Sequence, residues 1–341
     1  MSNANVASQQ NFRKKLIHDR LKFYITSNAQ SHGTFANAVK TGLSSKQKFL
    51  LPQYFYDEKG SKLFELISDQ PEYYLTRTEA SILESYSDEI AKMCNQGIIV
   101  ELGSGNSKKT RIIIDRLIAR HESLQYFPID ISNEVLKESS EALLSEYPNL
   151  SVTAIVAEYF KGLTLIKKDI SLRKLVLFLG SSLGNFDVLG AKKFIQTIKN
   201  HIRDQDMLLI GLDMHKDTRI LNAAYNDLCG VTAQFNLNIL ARINRELHGD
   251  FSLNNFEHLA FYNESKRRVE MHLVSKVRQE VNIADIGEVI SFKEGESIHT
   301  ESSHKFTIEQ IESMIEENFQ MVRTWTDEKK LYNVILLAPL K

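Results

Sequence analysis

The chain has 341 residues, with 42 Lys+Arg against 43 Asp+Glu and a formal net charge of −1. That balance excludes a broadly basic nucleic-acid binder. An apolar content of 43% with 25% charged residues excludes global disorder, and the length allows one large domain or two ordinary ones.

Cys94 and Cys229 are the only cysteines, so neither a disulfide scaffold nor a Cys-rich zinc site is available. The apolar runs, such as Lys174–Gly180, fall far short of the roughly 20 residues that span a bilayer. Arg13, Lys14 and Lys15 are not followed by the apolar stretch of a signal peptide. A soluble cytoplasmic protein is expected, a monomer without nucleic-acid or membrane partners. The ten histidines show no H-E-x-x-H or comparable spacing, so no metal site is expected.

Residues 1–11 are small and polar and are expected to be mobile. Residues 12–77 show no regular alternation. From there short apolar runs recur at Ile98–Leu102, Tyr126–Ile129, Val152–Val156, Lys174–Leu179 and Met207–Leu212. Amphipathic stretches such as Lys108–Arg120 and Asn133–Tyr147 separate them. Runs buried on both faces and spaced by helices predict a doubly wound parallel α/β sheet. Residues 214–304 interrupt the pattern, with helices over Thr218–Tyr225 and Thr232–Leu247 and strands over Glu257–Tyr262 and Arg268–Val274. The chain closes with a helix over Phe306–Phe319 and two strands, Gln320–Trp325 and Tyr332–Ala338, joined at Asp327–Lys330. A parallel sheet ending in an antiparallel hairpin resembles the class I methyltransferases. The expected division is a cofactor domain of 78–213 plus 305–341, and a discontinuous α+β substrate domain of 12–77 plus 214–304.

Three features carry the cofactor reading. Glu101-Leu-Gly103-Ser-Gly105 follows the first regular strand and opens a helix; its glycines permit a tight turn and close backbone approach to a ligand. The third glycine of the dinucleotide pattern G-x-G-x-x-G is replaced by Lys108, which favours S-adenosylmethionine over a nicotinamide cofactor. Asp130 ends the next strand, where a carboxylate can accept both ribose hydroxyls; a helix-capping role is the structural alternative. Glu158-Tyr159 follows the third strand, at the usual adenine position. All three stand at the carboxyl ends of successive strands, the ligand crevice of open α/β sheets.

Longer stretches are more specific. They are Tyr54-Phe-Tyr56-Asp57-Glu-Lys-Gly60, Pro71-Glu72-Tyr73-Tyr74-Leu-Thr76-Arg77, Phe178-Leu-Gly180-Ser-Ser-Leu-Gly184-Asn185, Gly230-Val-Thr232-Ala-Gln-Phe-Asn236, Arg268-Val-Glu-Met271 and Thr300-Glu301-Ser-Ser303-His-Lys305-Phe306. From about Leu51 to the C-terminus they resemble the histidine-specific Nα-methyltransferases of ergothioneine biosynthesis. The resemblance implies trimethylation of the histidine α-amine to N,N,N-trimethylhistidine (hercynine), with S-adenosylmethionine as methyl donor. It implies cofactor contacts at Tyr56, Gly103, Gly105, Lys109, Asp130, Glu158 and Tyr159; Glu158 replaces the family's usual Asp. Substrate contacts are implied at Tyr73, Asn185, Tyr225, Thr232, Met271, Glu301 and Ser303, with Tyr56, Tyr73 and Asn185 nearest the reacting groups. Glu301 and Ser303, two apart on an extended segment, can read imidazole nitrogens from one side. As packing residues instead, the tyrosines and Met271 would be core filler and Asn185 a turn residue. The superfamily also holds enzymes acting on a prenylated tryptophan, so another amino acid is the first alternative. A NAD-dependent oxidoreductase and a non-catalytic cofactor-binding protein are the others.

Overall fold

The computed structural model describes residues 12–26, 32–94, 97–169 and 173–341; the mobility expected of residues 1–11 lies outside them. At its centre are five parallel strands: β3 (Ile98–Leu102), β4 (Leu124–Asp130), β5 (Leu150–Val156), β6 (Leu175–Phe178) and β7 (Met207–Asp213). They lie in the order β5-β4-β3-β6-β7. Val100 of β3 pairs with Phe127 on one side and Val176 on the other. Alternate β3 residues enter opposite cores: Ile99 joins one, while Ile98, Val100 and Leu102 join the other. A strand buried on both faces needs a continuous apolar run, which is what the sequence supplies.

The first of those cores lies under α3 (Tyr74–Met93), α4 (Lys108–Ile118) and α5 (Asn133–Glu146). The second lies under α6 (Tyr159–Asp169), α7 (Val188–His201) and α10 (Ile308–Ile315). Side-chain caps start three of these helices. Ser132 accepts from Val135 N, Asp187 from Gly190 N, and Thr307 forms a reciprocal capping box with Gln310. The last box starts α10 two residues later than the sequence predicts, and the helix ends at Ile315 rather than Phe319. Strands β13 (Phe319–Thr326) and β14 (Tyr332–Pro339) then form the expected hairpin, with β14 antiparallel to both β13 and β7.

The N-terminal segment differs from expectation. Residues 12–26 form β1 (Phe12–His18) and β2 (Leu21–Thr26), and β2 extends the main sheet by pairing parallel to β5. These residues therefore belong to the cofactor sheet and not to the substrate lobe. Arg20, in the turn between them, donates to the carbonyls of Leu144 at 3.0 Å and Tyr147 at 2.8 Å, at the end of α5. Those acceptors are more than 120 residues away, so no local pattern announces the pairing.

A third core is built from α1 (His32–Leu43), α2 (Glu58–Ser68), α8 (Thr218–Ala224), α9 (Val231–Leu247) and five strands. β8 (Phe256–Asn263), β9 (Arg268–Ser275) and β12 (Ser297–His304) make one sheet in the order β12-β9-β8; β10 (Gln279–Ile283) and β11 (Glu288–Phe292) make a hairpin. Helix α3 crosses the boundary expected at residue 77. Tyr74 and Leu75 pack in this third core, whereas Ile82, Leu83 and Ile90 pack under the parallel sheet. Among the described residues no helix is long and apolar enough to cross a membrane.

Candidate active site

The glycine loop lies where β3 meets α4. Gly103 and Gly105 have φ of +72° and +49°, a left-handed conformation that costs glycine little. A side chain at Gly103 would meet the Tyr159 hydroxyl at 3.0 Å, whereas Gly105 faces open space. Beneath the loop, Glu101 is buried, accepting 2.6 Å from Thr110 Oγ1 and a second bond from the Tyr126 hydroxyl. Burial pushes its carboxyl up to about 7, against the pull of those two bonds. Asp130 does not cap a helix, since Ser132 caps α5. Its two carboxylate oxygens accept from the amides of Gly105 at 3.1 Å and Ser132 at 3.0 Å. Burial raises its pKa while these amides oppose the rise. Each oxygen retains a lone pair for a ribose hydroxyl.

Two of the expected cofactor residues form ion pairs within the protein. Lys109 forms an ion pair with Glu79 of α3, which also accepts 2.9 Å from Gly180 N and 2.9 Å from the Tyr332 hydroxyl. Lys109 thus ties the glycine loop to the end of β6. Glu158 follows β5, is exposed and pairs with Lys161 at 3.1 Å.

The residues expected to contact substrate come largely from the third core. Tyr56 follows the short 3-10 turn Pro52–Phe55 and precedes Asp57, which caps α2. Asn238 and Arg245 of α9 hold the Asp57 carboxylate at 2.8 and 2.5 Å. The Tyr56 ring meets Phe64 and Phe235 edge-on at 5.6 and 5.7 Å, and Tyr73 meets Tyr225 edge-on at 6.2 Å. Burial, then the charge of Glu301 and more weakly that of Asp130, holds the Tyr56 hydroxyl well above its ordinary pKa. Tyr56 therefore senses both the glycine-loop cleft and the Glu301 side, and it stays protonated at neutral pH. Tyr73 is held up in the same way, first by burial and then by Tyr225 and Glu301.

Glu301 of β12 pairs directly across from Met271 of β9, which pairs in turn with Ala260 of β8. Ser303, two residues on, accepts 2.8 Å from the Tyr225 hydroxyl. The Glu301 carboxylate has no hydrogen-bond partner among the described residues, and burial lifts its pKa to about 7 against the pull of Lys305. Asn185 ends the turn Ser182–Asn185 beyond β6, which abuts β12: His304 Nδ1 lies 2.9 Å from the Gly184 carbonyl. Thr232 opens α9, its amide donating 2.7 Å to Asp227. Ser107 and Ser181, which directly precede α4 and the turn Ser182–Asn185, take left-handed backbone conformations without being glycine, a strain that clusters at functional clefts.

Behind these groups lies a buried ionic network that sequence reasoning missed. Asp213, the last residue of β7, pairs with Lys305 at 2.7 Å, and neither side chain is exposed. Asp213 also pairs with Lys216 and accepts 2.8 Å from the Tyr74 hydroxyl. Although burial pushes Asp213 up, the two lysines hold it below its ordinary pKa, while burial pulls Lys216 down to about 8. Lys305 was visible inside the Thr300–Phe306 motif, but its partner lies 92 residues earlier at the end of another strand.

On the opposite face of the β9–β12 pair, Glu270, His272 and His299 offer metal-ligand atoms within 4.8 Å of one another. The histidines sit on paired strands, so no sequence spacing reveals them. Arg268 at 2.7 Å and Lys266 at 3.3 Å already neutralise Glu270. Burial, then the neighbouring His272, pulls His299 down to about 4.

A nucleoside cofactor of the type expected fits this cleft, which offers an open glycine loop, a buried carboxylate with free lone pairs and the Tyr159 ring. Comparisons with known proteins agree. A family model described as "Histidine-specific methyltransferase, SAM-dependent" matches residues 35–339. The histidine N-alpha-methyltransferase of Mycobacterium tuberculosis is 38% identical over 90% of this chain and 95% of its own length. That of Mycolicibacterium smegmatis is 39% identical over 85% and 90%. Among solved structures, an S-adenosylmethionine-dependent methyltransferase from Clostridium acetobutylicum covers 81% of this chain and 98% of its own, at 13% identity and a TM-score of 0.44. With its sheet order, its glycine loop and a match across nearly its whole length, the chain belongs to the histidine-specific, S-adenosylmethionine-dependent methyltransferases.

Proposed function

We propose that this protein transfers three methyl groups in succession from S-adenosylmethionine to the α-amino group of L-histidine, giving N,N,N-trimethylhistidine as in ergothioneine biosynthesis. The observation that carries this reading is the placement of Glu301 and Ser303 on one side of β12, with Met271 opposite and Tyr73 and Tyr225 alongside. A free carboxylate beside a hydroxyl suits an imidazole, whose two nitrogens differ in hydrogen-bond character. An indole offers the N–H but no second nitrogen, so the hydroxyl would be left unpaired, a penalty that polar sites impose on the wrong side chain.

In this reading Gly103, Gly105, Asp130 and Tyr159 hold the cofactor, with Lys109 and Glu158 shaping the cleft from outside. The cofactor brings an activated methyl group, so the protein chiefly positions the partners. The amine attacks in its neutral form, so loss of one proton from it precedes each transfer. Tyr56, Tyr73 and Asn185 orient it as protonated or neutral donors and acceptors. The rings of Tyr56, Phe64, Tyr73 and Phe235 suit the growing quaternary ammonium, an interaction of roughly 0.5–2 kcal/mol. Tyr225, Thr232 and Met271 complete the pocket, and the third core, less residues 12–26, serves as the substrate lobe. We place the enzyme in the cytoplasm as a monomer; its cysteines, Cys94 and Cys229, are both free.

The test is calorimetric titration of histidine in the presence of S-adenosylhomocysteine. Replacing Glu301→Ala is expected to weaken histidine binding roughly 10- to 100-fold, the worth of a hydrogen bond to a charged group, with cofactor affinity unchanged. Equal histidine affinity in the variant contradicts the assignment.

A further inference from the structure

We propose that Lys305 is a positioning residue that fixes Ser303 as a hydrogen-bond donor, so that the site accepts the imidazole only with its bare nitrogen toward Ser303 and its N–H toward Glu301. The inference rests on the histidine reading above and deepens it.

A lysine ammonium has three N–H donors and no acceptor. Those of Lys305 go to Asp213 Oδ2 at 2.7 Å, Ser303 Oγ at 2.9 Å and the Tyr225 hydroxyl at 3.1 Å. None remains for a ligand. The Tyr225 hydroxyl, accepting from Lys305, donates its own proton to Ser303 Oγ at 2.8 Å. Ser303 Oγ thus accepts twice, which exhausts its two lone pairs. Only its O–H is left, and it can only donate. Two residues earlier on the same strand, the Glu301 carboxylate is free to accept. The pair presents one donor and one acceptor, the complement of a neutral imidazole and of nothing with two N–H groups or none.

Asp213 keeps Lys305 in place. It is itself anchored by Lys216 and by the Tyr74 hydroxyl, and its amide donates 2.9 Å to Ser181 Oγ beyond β6. The polarity of Ser303 on the substrate lobe is thereby set from the end of a strand in the cofactor sheet. Lys305 has no donor left for the substrate, so a pattern of substrate contacts in the sequence does not reveal it.

The test uses two histidine analogues at pH 8, where the imidazole is neutral. One is a pyrrolylalanine, whose ring has an N–H and no acceptor; the other is a thiazolylalanine, with an acceptor and no N–H. Each is titrated against the cofactor-loaded full-length protein, with histidine as reference. The wild type is expected to bind both at least about tenfold more weakly than histidine. In Lys305→Met, Ser303 is free to turn its proton toward Tyr225. The pyrrole penalty, relative to histidine, is then expected to fall by about tenfold, while the thiazole penalty and the S-adenosylmethionine affinity stay as in the wild type. Should Lys305→Met fail to fold, Ser303→Ala keeps the Lys305–Asp213 pair and removes the fixed donor itself, and the same fall in the pyrrole penalty relative to histidine is expected. An unchanged ranking of the two analogues in the folded variants overturns the proposal. A wild type that does not bind histidine at all overturns the underlying substrate reading instead, so the two failures are distinct.

Discussion

Glu101 and Glu301 are both lifted to about 7 by burial, against an ordinary value near about 4.3. A carboxyl with a raised folded-state pKa binds its proton more tightly in the folded chain, so stability falls as pH rises between the unfolded and folded values. Each residue therefore contributes a loss of stability from about pH 4.5 to about pH 7. Glu101→Gln keeps an acceptor for one of Thr110 and Tyr126 and removes one of the two titrations. The melting temperature of that variant is expected to vary less across this pH window than that of the wild type; an equal or steeper slope contradicts the assignment. Several residue-scale features were legible in the sequence. Gly103, Gly105 and Asp130 follow from chain order alone. Glu301 and Ser303 were marked by the family resemblance, and the two-residue period of a strand puts the pair on one side. The engagement of Lys109 by Glu79 and of Lys305 by Asp213 was not legible, because each pair joins elements far apart in the chain.

Elements bring these residues together through a few close approaches. The turn carrying Asn185 touches β12 where Gly184 faces His304, and a side chain added at Gly184 would lie 2.9 Å from the His304 carbonyl oxygen. Backbone cannot yield there without moving β12. Gly184→Ala is expected to raise the histidine KM by roughly tenfold to a hundredfold through misplacement of Asn185 and Glu301, with S-adenosylmethionine binding preserved; steady-state kinetics with calorimetry checks both parts. The end of β7 is a second junction. Asp213→Ala would leave Lys305 buried without its counter-charge, which typically costs about 3–5 kcal/mol. Urea denaturation should show that loss, and a cost under about 1 kcal/mol would mean the ion pair is not the anchor described here. At this scale the periodicity of the apolar runs predicted the five parallel strands and the closing hairpin. The β1–β2 hairpin escaped because β1 is largely charged (Arg13, Lys14, Lys15) and its pairing with the sheet depends on β5, over a hundred residues later.

In the whole molecule two sheet-based cores and a third, separate core meet at one cleft. The proposed cofactor residues lie at the carboxyl ends of β3, β4 and β5; the proposed substrate residues enter from the starts of α2 and α3, the end of α8, α9, β9, β12 and the turn after β6. Helix α3 and the Asp213–Lys305 pair join the two sides. This arrangement requires no strongly charged surface, in keeping with the formal net charge of −1, because a zwitterionic amino acid and a small cationic cofactor are read by a few placed groups inside the cleft. The placed groups are expected to select histidine and to permit three methyl transfers. The most direct measurement is mass spectrometry of the protein incubated with S-adenosylmethionine and an equimolar mixture of the twenty amino acids. Histidine alone should gain one, two and finally three methyl groups, with the trimethylated form accumulating. Methylation of another amino acid in its place, or no added methyl on histidine, would contradict the account.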